Sequence, residues 1–469
     1  MFNTGYVTYC GINCIFSLDK DAIKLIPTKE EDLRQLNGHF DDQHFLFRYA
    51  DGAEKNCIAY IDRTEMNMGP SISLFPKFSL RLLNFGPITS MQITGPSIDE
   101  IFHPAGYYYM KAISGEENLV DLAYKCETAD AWTINLGDES IGISLQYGGI
   151  LHHGIASDMM LHPKLVATFK PTTDSEFLFK IYTVVTRFLQ LVQYNSNLGE
   201  CRVYLTGTEP EHNSGYLFDW PRIGIKRSFY NEIQYRYIQP YIQNMLQFSA
   251  ENTDIALHFL PNAAYRWNRT DYSPQLLATL FAAFESEYKA NKCAYETSQV
   301  EDYSKIKENV IKKIHECSTS ALLDYEKQFL FQAESFVQGL GYQVGQNRKV
   351  KNVLHVLAPA FCSSAEHLFI RGRIGSKTGF TDEEINQIAK KLVGLRSQVS
   401  HEYSLSSFDD LQAEYIHFLE ILVHAQMLKR AGIDDAGIEL IIGIVFHCNF
   451  KYMELLQKRF LKEEEKGKQ

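Results

Sequence analysis

The stretch Thr381–Tyr403, TDEEINQIAKKLVGLRSQVSHEY, decides how the chain divides. Thr381 and Glu384 have the spacing of a capping box, and Ile385, Ile388, Ala389, Leu392 and Leu395 recur at helical intervals after it. The apolar stripe stops at Leu395, so the spacing predicts a helix over 382–395 with polar chemistry beginning at Arg396. Outward from it the same period repeats. Ser273-Pro274 opens a helix with Leu276, Leu277, Leu280, Phe281, Phe284 and Tyr288 on its buried face. Further helices are expected near 303–317, 323–340, 349–360 and 408–430, the last capped by Ser407 with Asp410 and closed by Gly432, and a final one over 437–461. Residues 266–469 are therefore expected to form an all-α bundle, with 462–469 a solvated tail.

Towards the N-terminus the period changes. Tyr6–Tyr9, Phe45–Tyr49, Ser71–Phe75, Tyr107–Met110 and Ile141–Leu145 are short and rich in aromatic and β-branched residues, and Gly, Pro, Asn and Asp punctuate them. That pattern predicts an antiparallel β-sandwich or barrel-like domain over 1–215. An amphipathic helix near 174–195, carrying Phe177, Ile181, Val184, Val185, Phe188, Leu191 and Val192, is expected to cover one face before a strand over 200–205. Residues 216–265 read as a connecting segment whose helical stretch, 229–248, is kinked or split by Pro240. The expected fold class is a multidomain α+β protein.

Arg396-Ser397-Gln398-Val399-Ser400-His401, then Glu402 and Tyr403, holds residue types suited to cutting RNA without a metal. Histidine titrates near neutrality and can take a proton from a ribose 2′-hydroxyl or return one to the leaving oxygen, while arginine stabilises the charged phosphorus centre. On a straight helix residues five apart lie roughly 140° apart. Either the helix ends or kinks inside the motif, or a second copy of the chain completes the site.

R-x4-H-x-Y in a helical bundle resembles the HEPN superfamily, whose members are mostly metal-independent ribonucleases or derived nucleotide-binding domains. More narrowly, the β-rich N-terminal half followed by the Leu276–Tyr288 helix with Ala283-Phe284-Glu285 is similar to the Apea-like HEPN proteins of prokaryotic anti-phage abortive infection. In that family Asn, Asp or His most often follows the arginine; here the residue is Ser397. The resemblance implies an endoribonuclease toxin that leaves a 2′,3′-cyclic phosphate, with RNA (tRNA a candidate) as substrate, a phage-derived protein trigger sensed by the N-terminal domain, and a homodimer or higher homo-oligomer. It implies catalytic roles for Arg396, His401, Glu285 and Tyr403. Glu285 is read as orienting His401, pairing with Arg396, or lying as an ordinary surface acid. Arg348, Lys349, Lys351, Arg371, Arg373 and Lys377 are the basic runs that would meet RNA phosphates. The alternative is a non-catalytic HEPN nucleotide- or protein-binding sensor or scaffold; a carbohydrate-binding β domain dimerised by the bundle is a third reading.

Composition narrows the field. With 469 residues, 45% of them hydrophobic, the chain can build two or three cores. Lys plus Arg number 46 against 57 Asp plus Glu, a net charge of −11, which argues against a protein that coats nucleic acid broadly and leaves room for a local basic site. Nine cysteines without tight clusters fit reduced thiols in a cytoplasmic protein rather than a disulfide framework. Met1–Gly5 lacks the basic and apolar parts of a signal peptide, and Ile438–Phe446, the longest apolar run, is too short to span a bilayer. Gly372–Thr378 is not a phosphate loop, because Ser376 stands where glycine must precede the lysine. His152, His153, Asp158 and His162 lack the setting of a metal site, so neither metal nor cofactor is expected.

Overall fold

The structure, a computed structural model, describes residues 4–9, 11–19, 22–32, 44–48, 56–66, 71–82, 86–103, 128–150, 160–195, 198–209, 214–219, 233–252, 272–296, 299–319, 323–339, 345–362, 364–369, 372–376, 378–401 and 408–446, with the backbone alone at 44–48, 56, 62–63, 66, 128, 149–150, 160–161, 219, 299–304 and 400–401. The chain divides into two units, Met1–Asn268 with Ala431–Ile433, and Arg269–Arg430 with Asp434–Gln469. Among the described residues no helix is long and apolar enough to cross a membrane.

The first unit is built on one antiparallel sheet of β1 (Thr4–Tyr9), β2 (Ile12–Leu18), β3 (Ile23–Pro27), β4 (His44–Arg48), β5 (Asn56–Met66), β6 (Ile72–Leu82), β7 (Ile88–Thr94), β8 (Thr128–Leu136), β9 (Glu139–Ile150), β10 (Met160–Thr172), β11 (Arg202–Gly207) and β12 (Ser214–Asp219). The main path runs β1-β2-β3-β6-β12-β11-β7-β10-β9-β8. One edge of β6 pairs with β5 along its whole length, and the other is shared: Ile72–Leu74 pair with β3, Phe78–Leu82 with β12. Pro76 sits where the β5–β6 register shifts, the place in a strand where a missing N–H costs least. At Gly215 an added Cβ would lie 2.2 Å from the Arg81 carbonyl oxygen, so only glycine lets β12 seat against β6. Pairing yields one sheet rather than the two of a sandwich. Strands β1-β2-β3-β6-β5-β4 curl around Cys14, Phe16, Ile23, Leu25, Ala59 and Leu74 until β4 approaches β1, yet these two are not hydrogen-bonded among the described residues, so the barrel-like curl is open.

Helix α1 (Pro96–Ile101) packs on β10, and α2 (Ser175–Gln193) buries the stripe its period predicts, from Leu178 to Val192. Asp174 caps α2 by accepting from the N–H groups of Glu176 and Phe177, and Phe179 stacks on Phe78 of β6 at 4.3 Å. Residues 216–265 differ from the expected connection. Their described parts belong to the first unit: β12 fills the slot between β6 and β11, and two helices, α3 (Tyr235–Ile238) and α4 (Ile242–Glu251), are split by a 3₁₀ turn at Pro240. Helix α4 packs along β8, an end strand of the path. There Gln243 accepts from the Thr133 N–H and donates to its carbonyl, and Gln247, one turn on, does the same at Asn135. Two side-chain amides thus satisfy edge groups that would otherwise offer themselves to another strand.

In the second unit α12 (Asp410–Arg430) is buried nearly all round from Tyr415 to Leu428. It packs against α5 (Pro274–Ala290), α11 (Asp382–His401) and α13 (Asp435–Phe446), while α7 (Gln299–Ser318) and α8 (Asp324–Gly339) pair with each other. The short helix α6 (Lys292–Tyr295) packs on α9 (Gln346–Leu357), which lies against α11, and α10 (Ala365–Leu368) follows α9 in the chain. Phe361, Phe369, Phe380, Tyr415 and Phe418 form an aromatic cluster, with Phe369 and Phe418 centroids 4.9 Å apart. At the start of α12, Asp409 accepts from the Gln412 N–H and Gln412 returns the bond to the Asp409 N–H. Ser407 lies outside the described residues, as do Tyr107–Met110 and 447–469.

Candidate functional site

Helix α11 begins as its sequence dictates. Thr381 accepts from the Glu384 N–H, and the Glu384 carboxylate accepts from the Thr381 N–H at 2.7 Å and its hydroxyl at 2.9 Å. The other carboxylate oxygen accepts from the Gly375 N–H at 2.8 Å. Burial favours the neutral form of Glu384, but these hydrogen bonds outweigh it and hold the carboxyl below the usual range. A second acid, Glu414, accepts from the Gly372 N–H. Two carboxylates, on α11 and α12, thus fasten the turn that carries Arg373.

The helix does not stop where its apolar stripe does. It continues through Arg396 to His401, for neither proline nor glycine interrupts residues 396–401 and the capped turns upstream propagate. Arg396 therefore emerges from a continuous helix, half-exposed, and its Nη1 lies 2.7 Å from Glu285 Oε1 on α5. Gln346, the first residue of α9, donates to that same oxygen, and the guanidinium lies over the Phe281 ring, 5.3 Å from its centroid. An aromatic face and a carboxylate fix the arginine from two sides.

These groups stand in the wall of a cavity of about 960 Å³ within the second unit. Its charged lining comprises Lys289, Lys292, Lys349 and Arg396 against Glu285 and Glu296. Both acids are engaged, Glu285 with Arg396 and Glu296 with Lys292 at 3.5 Å and the Tyr288 hydroxyl at 2.9 Å. Lys349 lies over the Tyr288 ring at 5.7 Å, and Asn352 donates to the Tyr288 hydroxyl. In a chain of net charge −11, the cleft carries a local cationic excess.

Behind the wall, Arg430 of α12 grips Glu287 with two hydrogen bonds of 2.8 Å, and the carboxylate is fully buried. Burial pushes its carboxyl above the usual range although Arg430 draws it down. Burial also raises the Tyr295 hydroxyl to about 12. This pair and the Tyr288–Tyr295 stack fix the inner face of α5 and so the outer face that bears Glu285 and Lys289.

Of the sequence-derived candidates, the structure brings Arg396, Glu285 and Lys349 together in one cleft. Arg348, Lys351 and Arg373 are described but do not line it. Arg371, Lys377, Glu402 and Tyr403 lie outside the described residues, as does the side chain of His401. Among the distant histidines, His162 approaches Asp99 at 4.0 Å; His152, His153 and Asp158 are outside the described residues. Phe281, Lys289, Lys292 and Gln346 escaped sequence reasoning, although Glu285 and Lys289 share one face of α5 by their spacing, a signal that one-sided polar periodicity carries. Compared with protein-family models, curated proteins and solved structures, the chain matches none of them.

Proposed function

We propose that the protein is a metal-independent endoribonuclease of the HEPN type, acting in abortive anti-phage defence. The observation that supports this is Arg396, five residues before His401 on one helix and presented at the wall of a cation-rich cleft. In the proposed reaction the ribose 2′-oxygen attacks the adjacent phosphorus as the bond to the 5′-oxygen breaks. One His401 imidazole accepts the 2′-hydroxyl proton or delivers one to the departing 5′-oxygen, and Arg396 stabilises the charge on the phosphorane. The products are a 2′,3′-cyclic phosphate and a 5′-hydroxyl. A homodimer brings two motifs to one cleft, and the antiparallel sheet unit senses a phage-derived protein in the cytoplasm. The test is incubation with tRNA in EDTA, wild type against His401→Ala and Arg396→Ala. Cleavage by the wild type alone is expected; equal cleavage by all three, or cleavage only on adding metal, refutes the mechanism.

A second reading, a non-catalytic nucleotide- or protein-binding module, draws on the Glu285 carboxylate that engages Arg396 and on Ser397 after it. Expression separates the two. An active nuclease slows growth and Arg396→Ala relieves it, whereas a binding module leaves growth unchanged in both.

A further inference from the structure

Two features of the cleft are not used by a single scissile phosphate. Lys289 and Lys349 face it without a carboxylate partner among the described residues, while Lys292 is tied to Glu296 and Arg396 to Glu285. They also lie together. Glu285 meets Gln346, and one turn further along both helices Tyr288 meets Lys349 and Asn352. The two contacts therefore advance in the same direction along α5 and α9, and Lys289, four residues after Glu285, and Lys349, three after Gln346, both stand about one turn beyond the Glu285–Gln346 contact.

We infer that Lys289 and Lys349 form a second phosphate subsite one helical turn from Arg396, so that the cleft takes two consecutive phosphodiesters of a single strand. The inference rests on the nuclease reading and deepens it by naming the minimal ligand. Three observations carry it. The two ammonium groups are the uncommitted positive charge of the wall, which is what an anion needs. The step from Glu285 to Lys289 along α5 is about 6 Å, the rise of four helical residues. That spacing suits diester phosphates with a whole sugar between them better than the phosphates of a pyrophosphate, which share one bridging oxygen. Lys349, packed over the Tyr288 ring with Asn352 holding the Tyr288 hydroxyl, is partly pre-ordered and loses less freedom on binding than a solvated lysine does.

The experiment measures binding of full-length protein to the 2′-O-methyl dinucleotide UpU, the 2′-O-methyl trinucleotide UpUpU and ADP across a range of salt. The methyl groups block attack, so binding is read without cleavage. The trinucleotide is expected to bind about tenfold tighter than the dinucleotide, the order of one charge-assisted contact. Its affinity is expected to fall more steeply with salt, by about 0.7 in log–log slope for the extra phosphate. Lys289→Gln with Lys349→Gln is expected to abolish both differences and leave dinucleotide binding in place. A trinucleotide advantage that survives in that variant belongs to the third base and overturns the subsite. So does equal Arg396-dependent binding of the two oligonucleotides by the wild type, which leaves the nuclease reading standing. Tighter binding of ADP than of the trinucleotide overturns the assignment to diesters, and oligonucleotide binding unaffected by Arg396→Ala removes the nuclease reading itself.

Discussion

Glu285 holds the Arg396 guanidinium that in the proposed reaction meets a phosphate, and Glu285→Gln tests whether the carboxylate competes for it. The two charges meet at 2.7 Å, but their side chains are 37% and 33% exposed. In a dry interior such a pair would be worth several kcal/mol; with water reaching both groups, about 0.5–1 kcal/mol is the realistic scale. Glutamine keeps the shape and can still accept from the guanidinium, so the variant removes charge with little change in packing. Unfolding free energy in urea is expected to fall by about 0.5–1 kcal/mol. Affinity for the 2′-O-methyl trinucleotide, read by fluorescence anisotropy at about 0.1 M salt, is expected to rise about two- to fivefold, since the arginine no longer leaves a carboxylate in order to meet a phosphate. Unchanged or weaker binding, with the stability loss as expected, would refute competition and make Glu285 a support that holds Arg396 in its binding geometry.

Glu287→Ala should cost about 3–5 kcal/mol in chemical denaturation, because it strands the Arg430 guanidinium in the interior; a loss under about 1 kcal/mol would mean that the pair is hydrated. Since its hydrogen bonds depress the Glu384 carboxyl in the folded state, its contribution is complete above the unfolded value near 4.3 and is lost as pH falls through the lower folded one. Hydrogen-exchange protection in the 372–385 segment, taken relative to the intrinsic rate at each pH, should therefore fall on acidification to below about pH 4 in the wild type, and already be low at neutral pH in Glu384→Gln. Gln243→Ala with Gln247→Ala uncovers the β8 edge, so light scattering should show self-association while circular dichroism is retained; a monodisperse variant would show that the edge needs no cover. Mixing inactive Arg396→Ala with inactive His401→Ala chains should restore tRNA cleavage to about a quarter of the wild-type level or more if two chains share a site, and a silent mixture would count against it.

Local signals were legible. Thr381 with Glu384, Ser273 with Pro274 and Pro240 inside a helical stretch each act within a turn or two of chain, and each is realised at the position its chemistry requires. Non-local choices were not. Nothing in Ser214–Asp219 announces that it pairs with β6 and β11 rather than linking two domains, because the match lies in partners far away in sequence and in the room that Gly215 leaves. The open curl of the sheet is likewise a matter of which edges meet. In the site, Arg396 was conspicuous beside His401, whereas Lys289 and Gln346 became meaningful only when α5 and α9 were laid side by side.

The unbroken end of α11 bears on how one phosphate meets both motif residues. Positions 396 and 401 of a straight helix differ by roughly 140° around the axis and about 7.5 Å along it. The side that carries Arg396 is already committed to the cleft through Phe281, Glu285 and Gln346. Position 401, at the helix terminus, therefore belongs to a different side of the same rod. An end to the helix between them would have reconciled the two within one chain, and the helix runs on through both. In the proposed nuclease a two-fold axis would reconcile them without any distortion: the surface around position 401 of each copy would be offered to the cleft of the other, so that each phosphate would take its arginine from one chain and its histidine from the partner. An isologous contact of this kind would use the same patch twice, so tRNA cleavage is expected to rise with the square of protomer concentration at the dilute limit; a first-order dependence there would refute the shared site.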